Sequence, residues 1–247
     1  MMSLDALQNR GYQAADYCDT SGNPPASKVY RAARIIASQE RILGYFGSGS
    51  GVASQEQVHS ARGLVKAFHE IAFSRPVVVR LGGNMEQEAI EILEGYTGDL
   101  AAPIRGFGKD TSVTECVEAF DELVAGTTGY RSDDDRDDGR DESEKHAQVR
   151  PPAVPPWLDD IDTYSFKSLT GTVYFDHRVC VDCPTHACVY SCVPQILKIE
   201  EGKPILAIPR EDAQRGKCIE CLACEVECRE HGLAGGFVHL PIPGLDR

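Results

Sequence analysis

The chain has 247 residues, 38 acidic against 25 basic side chains and a formal net charge of -13. That length exceeds one typical domain and is enough to bury two cores. The charge argues against a nucleic-acid footprint, which needs a basic face or stripe. No apolar run reaches the roughly 18 residues that span a bilayer, and MMSLDALQNRG lacks the basic-then-apolar order of a secretory leader. A cytoplasmic location is expected, and there clustered cysteines hold metal more often than they form disulfides.

In chain order, the pattern predicts a strand over 14–18, a helix over 26–38, a strand over 41–46 (RILGYF) and a helix over 55–73. A strand over 77–81 (VVVRL) follows, apolar enough for burial on both faces. A helix over 85–96 then carries Met85, Ala89, Ile92, Leu93 and Tyr96 on one stripe. A short strand over 102–104 and a helix over 114–124 complete this half. Asn84 and Ser112 read as helix N-caps, with Gln87 and Glu115 three residues on as in a capping box. Cys18 and Cys116 are isolated and are expected to be buried core thiols. His59 and His69 are expected to be surface or packed histidines on the 55–73 helix.

This alternation predicts an α/β fold, a flavodoxin-like parallel sheet with helices on both faces. Glycine-bearing loops follow three of its strands: GSGSG at 47–51, GGN at 82–84 and GFGK at 106–109. Glycine lets backbone amides approach an anion, and a following helix N-terminus favours negative charge. Gly47, Ser48, Gly49, Gly82, Gly83 and Asn84 are therefore candidate substrate or phosphate contacts. Spacing alone does not separate that role from tight strand–helix turns. GSGSG is not a dinucleotide fingerprint, and no loop has the Gly-Lys-Ser/Thr of a P-loop.

Residues 131–156 form a boundary between a first domain at 1–130 and a second at 157–247. The first sixteen carry eight acids and four bases with no aliphatic side chain, and PPAVPP ends the segment. Such a stretch cannot bury a core and reads as a solvated linker. Beyond it stand two cysteine quartets, Cys180-x2-Cys183-x4-Cys188-x3-Cys192 and Cys218-x2-Cys221-x2-Cys224-x3-Cys228. Two Cys-x2-Cys pairs could build a zinc site, but zinc knuckles pair thiols two and two across a loop. Three crowded thiols with a fourth a helical step later suit an iron–sulfur cubane better. His186, inside the first quartet, reads as an exposed loop histidine because four thiolates are already at hand. Between the quartets, 196–200 and 205–208 alternate around Glu201-Gly202-Lys203-Pro204, a hairpin signal. A strand over 172–175 is expected to pair with a C-terminal one.

Two resemblances sharpen this reading. The second domain resembles two-cluster bacterial-type ferredoxins, of small α+β fold. Here Cys192-x-Pro194 stands where they have Cys-Pro directly. GKCIECLACEVECREHG, with Gly235, Gly236, Phe237 and Val238 after it, is also similar to ferredoxins serving electron-transferring flavoprotein systems. The resemblance implies two 4Fe–4S clusters whose fourth ligands are exchanged. Cys180, Cys183, Cys188 and Cys228 would hold one, and Cys192, Cys218, Cys221 and Cys224 the other.

The run over about 1–127, with RPVVVRLGGN as its most specific part, resembles the C-terminal CoA-ligase domain of the succinyl-CoA synthetase β subunit. Its DVGG corresponds to Asp19-Thr20-Ser21-Gly22, which makes Gly22 a further candidate substrate or phosphate contact, and its NIFGG loop to Tyr45-Phe46-Gly47-Ser48-Gly49, lengthened here. The helix near Pro25 would then point its N-terminus at a phosphohistidine of a partner subunit. The family's first strand and its ATP-grasp module are not seen ahead of this domain, so a separate chain is expected to supply the ATP-grasp module. The resemblances imply an iron–sulfur subunit of a multi-chain, ADP-forming acyl-CoA synthetase-like complex. ATP-grasp and CoA-binding subunits and a redox protein would be its partners. The alternative is a ferredoxin-type electron carrier whose α/β domain only docks a partner.

Overall fold

The computed structural model describes residues 2–39, 41–49, 52–128, 158 and 162–245. The predicted linker 131–156 lies outside the described residues. The first half runs α1 (Met2–Asn9), α2 (Ala26–Ala37), β1 (Tyr45–Ser48), β2 (Val52–Glu56), α3 (Gln57–Glu70) and β3 (Val77–Arg80). It continues with β4 (Gly83–Asn84), α4 (Glu86–Gly95), β5 (Ile104–Phe107) and α5 (Val113–Thr128).

The strands β1, β3 and β5 form a parallel sheet in that spatial order, with Tyr45 opposite Val77 and Val77 opposite Ile104. Side chains alternate across a strand, and β3 shows the consequence. Val77 and Val79 join a core with Leu64, Phe68 and Leu93, while Val78 joins a second core with Cys116, Phe120 and Val124. The apolar VVV run is thus buried on both faces, with α2, α3 and α4 on one side and α1 and α5 on the other.

Helix α3 lies close against α2 because position 63 is glycine. A Cβ there would stand 2.6 Å from the Ala26 carbonyl oxygen and 3.0 Å from the Tyr30 nitrogen. Backbone atoms cannot yield as side-chain ends can. Gly63→Ala is therefore expected to cost about 1–3 kcal/mol by overpacking, read as a lower denaturation midpoint at unchanged slope.

Several local expectations are corrected. Residues 14–18 form no strand, and without one to carry it inward Cys18 is exposed, whereas Cys116 is buried. Arg41 adopts φ 64°, so the chain turns before it extends and β1 starts at Tyr45. Asn84 is extended in β4, paired with β2, and therefore does not cap α4. Met85 takes that position at φ 55° without a side-chain cap. The capping box at Ser112 does form: its N–H donates to Glu115 Oε2 at 2.8 Å, and the Glu115 N–H to Ser112 Oγ at 3.2 Å.

The second half runs β6 (Thr163–Lys167), β7 (Thr172–Asp176), α6 (His177–Cys180), α7 (Ala187–Tyr190), β8 (Leu197–Glu200) and β9 (Lys203–Leu206). After it come α8 (Arg210–Asp212), α9 (Ala223–His231) and β10 (Gly236–His239). Antiparallel β10, β7 and β6 make one sheet, the C-terminal strand pairing with 172–176 through Gly236 opposite Phe175. The hairpin β8–β9 pairs Glu200 with Lys203, so its turn is only Glu201-Gly202. Both turn residues have positive φ, 50° and 74°, as the tight hairpin turn requires. Lys203 and Pro204, expected in the turn, belong to β9.

The halves pack together through α3 and α9, and one apolar core extends from Ala26 to Ile242. Polar groups are buried in the same interface. Lys66 Nζ lies 2.6 Å from Glu70 Oε1, 2.7 Å from Glu225 Oε1 and 4.5 Å from the centre of the Phe237 ring. Arg62 pairs with Glu227 at 3.2 Å, and Arg31 Nη2 donates to Thr170 Oγ1 at 2.8 Å.

Candidate functional site

All three strands of the parallel sheet end on one edge, where the glycine loops gather. Arg80, the last residue of β3, ties them together. Its guanidinium donates to the carbonyl oxygens of Gly49 at 2.9 Å, Thr111 at 2.7 Å and Lys109 at 2.6 Å. Gly49 N–H returns a bond to the Arg80 carbonyl at 2.6 Å, and Gln57 Nε2 donates to Gly82 O at 2.9 Å. Gly22 lies in an exposed turn. The neighbouring Asn23 accepts from the Glu56 N–H at 3.0 Å, which brings that turn to the start of α3.

Of the candidate loop residues, Gly47, Gly49, Gly82 and Gly83 lie inside or beside this network, while Ser48 and Asn84 are exposed. A Cβ at Gly49 would come 3.0 Å from the Arg80 carbonyl, so any side chain there would press on that backbone. Glu86, in the first turn of α4, accepts from Lys109 N–H at 2.9 Å, Lys109 Nζ at 3.0 Å and Gly83 N–H at 3.3 Å. The Lys109 amide, then its ammonium, holds the Glu86 carboxyl below its ordinary range despite some burial. Arg80, Glu86 and Lys109 were not among the residues singled out from the sequence. A cation ending an apolar strand, immediately before Leu-Gly-Gly, was the available signal. His59 is partly buried, and His69 Nε2 lies 2.6 Å from the Tyr96 carbonyl oxygen; burial lowers the pKa of both.

The second candidate site is the set of eight clustered cysteines, placed around two cavities. Cys192, Cys218, Cys221 and Cys224 line the larger, about 380 Å³ with the solvent at its mouth included. Cys180, Cys183, Cys188 and Cys228 line the smaller, about 220 Å³ on the same basis. Cys188 lies within α7 and Cys192 two residues beyond it, so one short helical turn directs neighbouring thiols into different cavities. Main-chain donors surround the sulfurs. Cys183 is approached by the N–H groups of His186, Thr185 and Leu233. Cys228 is approached by those of Gly236, Gly235 and Ala234. Glycines keep the second cavity open: a Cβ at Gly235 would stand 3.1 Å from Cys180 Sγ.

Burial pushes the Cys180 thiol up to about 12 and the Cys218 thiol up to about 11. Any metal that binds must displace those protons. Among the described residues, no three His, Cys, Asp or Glu side chains converge as one metal ion would require. The thiols stand around the cavity walls. His186 is only partly exposed, contrary to expectation. It lines the smaller cavity and its Nε2 lies 2.8 Å from the Gly202 carbonyl oxygen, which ties the loop between Cys183 and Cys188 to the hairpin turn.

Glu220, between Cys218 and Cys221, is 6% exposed. Its carboxylate accepts from Ser168 Oγ at 2.7 Å, Thr170 N–H at 2.6 Å and Thr170 Oγ1 at 2.7 Å. Burial alone would raise its pKa. The hydroxyls of Ser168 and Thr170, with Ser27 of α2, outweigh burial and hold it below the ordinary value.

No protein-family model matches the chain. A succinate–CoA ligase (ADP-forming) β subunit of Rubrobacter xylanophilus is 34% identical over 94 residues, 38% of this chain and 24% of that protein. A succinate–CoA ligase (GDP-forming) β subunit of Thermus thermophilus is 31% identical over 96 residues, 38% of this chain and 25% of that protein. The match therefore spans about a quarter of the length of these relatives. Among solved structures, an ATP citrate lyase from Methanosaeta concilii aligns with TM-score 0.42 and 21% identity, over 48% of this chain and 33% of that one. No helix among the described residues is long and apolar enough to cross a membrane. The relatives support a CoA-ligase-like domain in this chain.

Proposed function

We propose that the chain is the iron–sulfur subunit of a multi-chain, ADP-forming acyl-CoA synthetase-like complex, with two 4Fe–4S clusters that relay electrons. The observation that carries this reading is the pair of cavities, four cysteines to each, beside a CoA-ligase-like domain. The donor set fits such clusters. Eight soft thiols line the two cavities, four to each, with Cys188 and Cys228 close enough to share a hydrogen bond. Main-chain N–H groups point at the Cys183 and Cys228 sulfurs, as at cluster ligands whose potential is set by such hydrogen bonds. Cys180, Cys183, Cys188 and Cys228 would hold one cluster, and Cys192, Cys218, Cys221 and Cys224 the other. Each cluster, when bound, takes up and releases one electron.

The relatives are named as β subunits, which supports ATP-grasp and CoA-binding subunits as partners and the loops held by Arg80 as the face they meet. A fixed interface between the halves favours this coupled arrangement over a free carrier with a loosely attached docking module.

Anaerobic purification with metal analysis is the direct test. About eight iron and eight sulfide per chain are expected, and zinc alone would overturn the assignment. Phosphate release dependent on acid, CoA and ATP, measured on the purified complex and lost when residues 1–127 are removed from this chain, is expected of the ligase role. A complex without an ATP-grasp subunit would count against it.

A further inference from the structure

The cavities differ in charge. Among the described residues, Glu220 is the only carboxylate lining the larger one. Its hydrogen-bonding partners are neutral: Ser168, Thr170 and, from α2 in the CoA-ligase-like half, Ser27. Hydroxyl and amide donors fix a carboxylate without cancelling its charge. Of the nearby cations, Lys66 and Arg34 are matched by Glu70 and Glu225, and Arg31 reaches Glu220 only through the Thr170 hydroxyl, with no direct ion pair. Among the described residues, no carboxylate lines the smaller cavity, and His186 is the one ionisable side chain there besides cysteine. The buried carboxylate nearest in effect, Asp176 beside Cys180, is paired directly with Arg178 at 2.9 Å.

We infer that Glu220 makes the two clusters unequal, giving the one held by Cys192, Cys218, Cys221 and Cys224 the lower reduction potential. This rests on the two-cluster reading above. Adding an electron beside a buried carboxylate that has no cation in direct contact is unfavourable, and Coulomb energies are larger in the low-dielectric interior than in water. An electron delivered to the pair therefore settles on the cluster of Cys180, Cys183, Cys188 and Cys228. Glu220 is a positioning and potential-setting residue. Through Ser27 it also anchors the ligand loop to the first turn of α2, the helix that begins three residues after Asn23.

The test is a potentiometric titration, followed by electron paramagnetic resonance, on the anaerobically purified full chain. The wild type is expected to show two separate one-electron midpoints. Glu220→Gln is expected to shift the lower midpoint upward and leave the higher one in place, and Glu220→Asp to retain the wild-type pattern. Unmoved midpoints in Glu220→Gln at full iron and sulfide content would overturn the inference and leave the cluster assignment standing. A second variant does not depend on how well Glu220→Gln folds. Cys183→Ala removes a ligand from the other cluster, so the midpoint that survives is expected to be the lower one. Survival of the higher one would overturn the inference. Absence of iron and sulfide from the wild type overturns the cluster assignment, and this inference with it.

Discussion

Replacement of Lys66 by methionine is expected to destabilise the protein by about 3–5 kcal/mol, the usual cost of removing one partner from a buried ion pair. Methionine nearly preserves the volume and the apolar stem, so the loss is one of charge. The Lys66 side chain is fully buried between Glu70 and Glu225. Burial alone would lower its pKa, but the two carboxylates outweigh burial and raise it, so it is an ammonium at neutral pH. In the variant, Glu70 still has Arg34 and the Tyr30 hydroxyl. Glu225 keeps the Val238 N–H, a single neutral donor for a buried carboxylate.

The pH dependence follows with a definite sign. Burial, and after it the like charge of Glu70, already lifts Glu225 above the carboxyl value of 4.5 despite Lys66. Without Lys66 it rises further. A group whose folded pKa is raised contributes stability below its unfolded pKa and loses it as pH climbs through the folded value. The variant is therefore expected to recover part of its deficit as pH falls toward 4.5. Denaturant unfolding under anaerobic conditions at two pH values measures both effects. The double variant Lys66→Met with Glu225→Gln should cost less than the sum of the singles, because it leaves no uncompensated charge. A cost below about 1 kcal/mol, the size of an exposed pair, would show the interface to be open to water.

Because Lys66 and Glu225 lie on different halves, the interface they join also shows where sequence reading ends. The VVV strand, the Ser112 capping box and the cysteine spacings were legible because each is a local pattern whose physics acts within one element. The Lys66–Glu225 pair spans 159 positions, and no local period reports it. In sequence, α3 is simply an amphipathic helix with a lysine. Asn84 was misread for the opposite reason. Its capping pattern is present, but pairing of β4 with β2 claims the backbone first. Cys18 followed the average behaviour of cysteine and was misplaced because no strand carries it inward. Arg80 was visible as part of RPVVVRLGGN. Its role in holding three loops depends on β5 lying beside β3, which strand order alone decides.

The assignment of thiols to cavities yields the second large expected effect. On the two-cluster function proposed above, replacing Cys192 by alanine is expected to remove one whole cluster, lowering iron from about eight to about four per chain. If the first quartet were a self-contained site, the lost iron would belong with Cys180, Cys183 and Cys188. The cavities assign Cys192 to Cys218, Cys221 and Cys224 instead. Iron content alone cannot separate these cases, but paired variants can. Cys192→Ala combined with Cys221→Ala removes two ligands of one cluster, so iron should stay near the single-variant level. Cys192→Ala combined with Cys183→Ala removes one ligand from each, so iron should fall toward zero. The reverse pattern, with iron retained in the Cys183 combination and lost in the Cys221 one, would show that Cys192 serves its own quartet. It would also show that the turn of α7 does not divide the two centres.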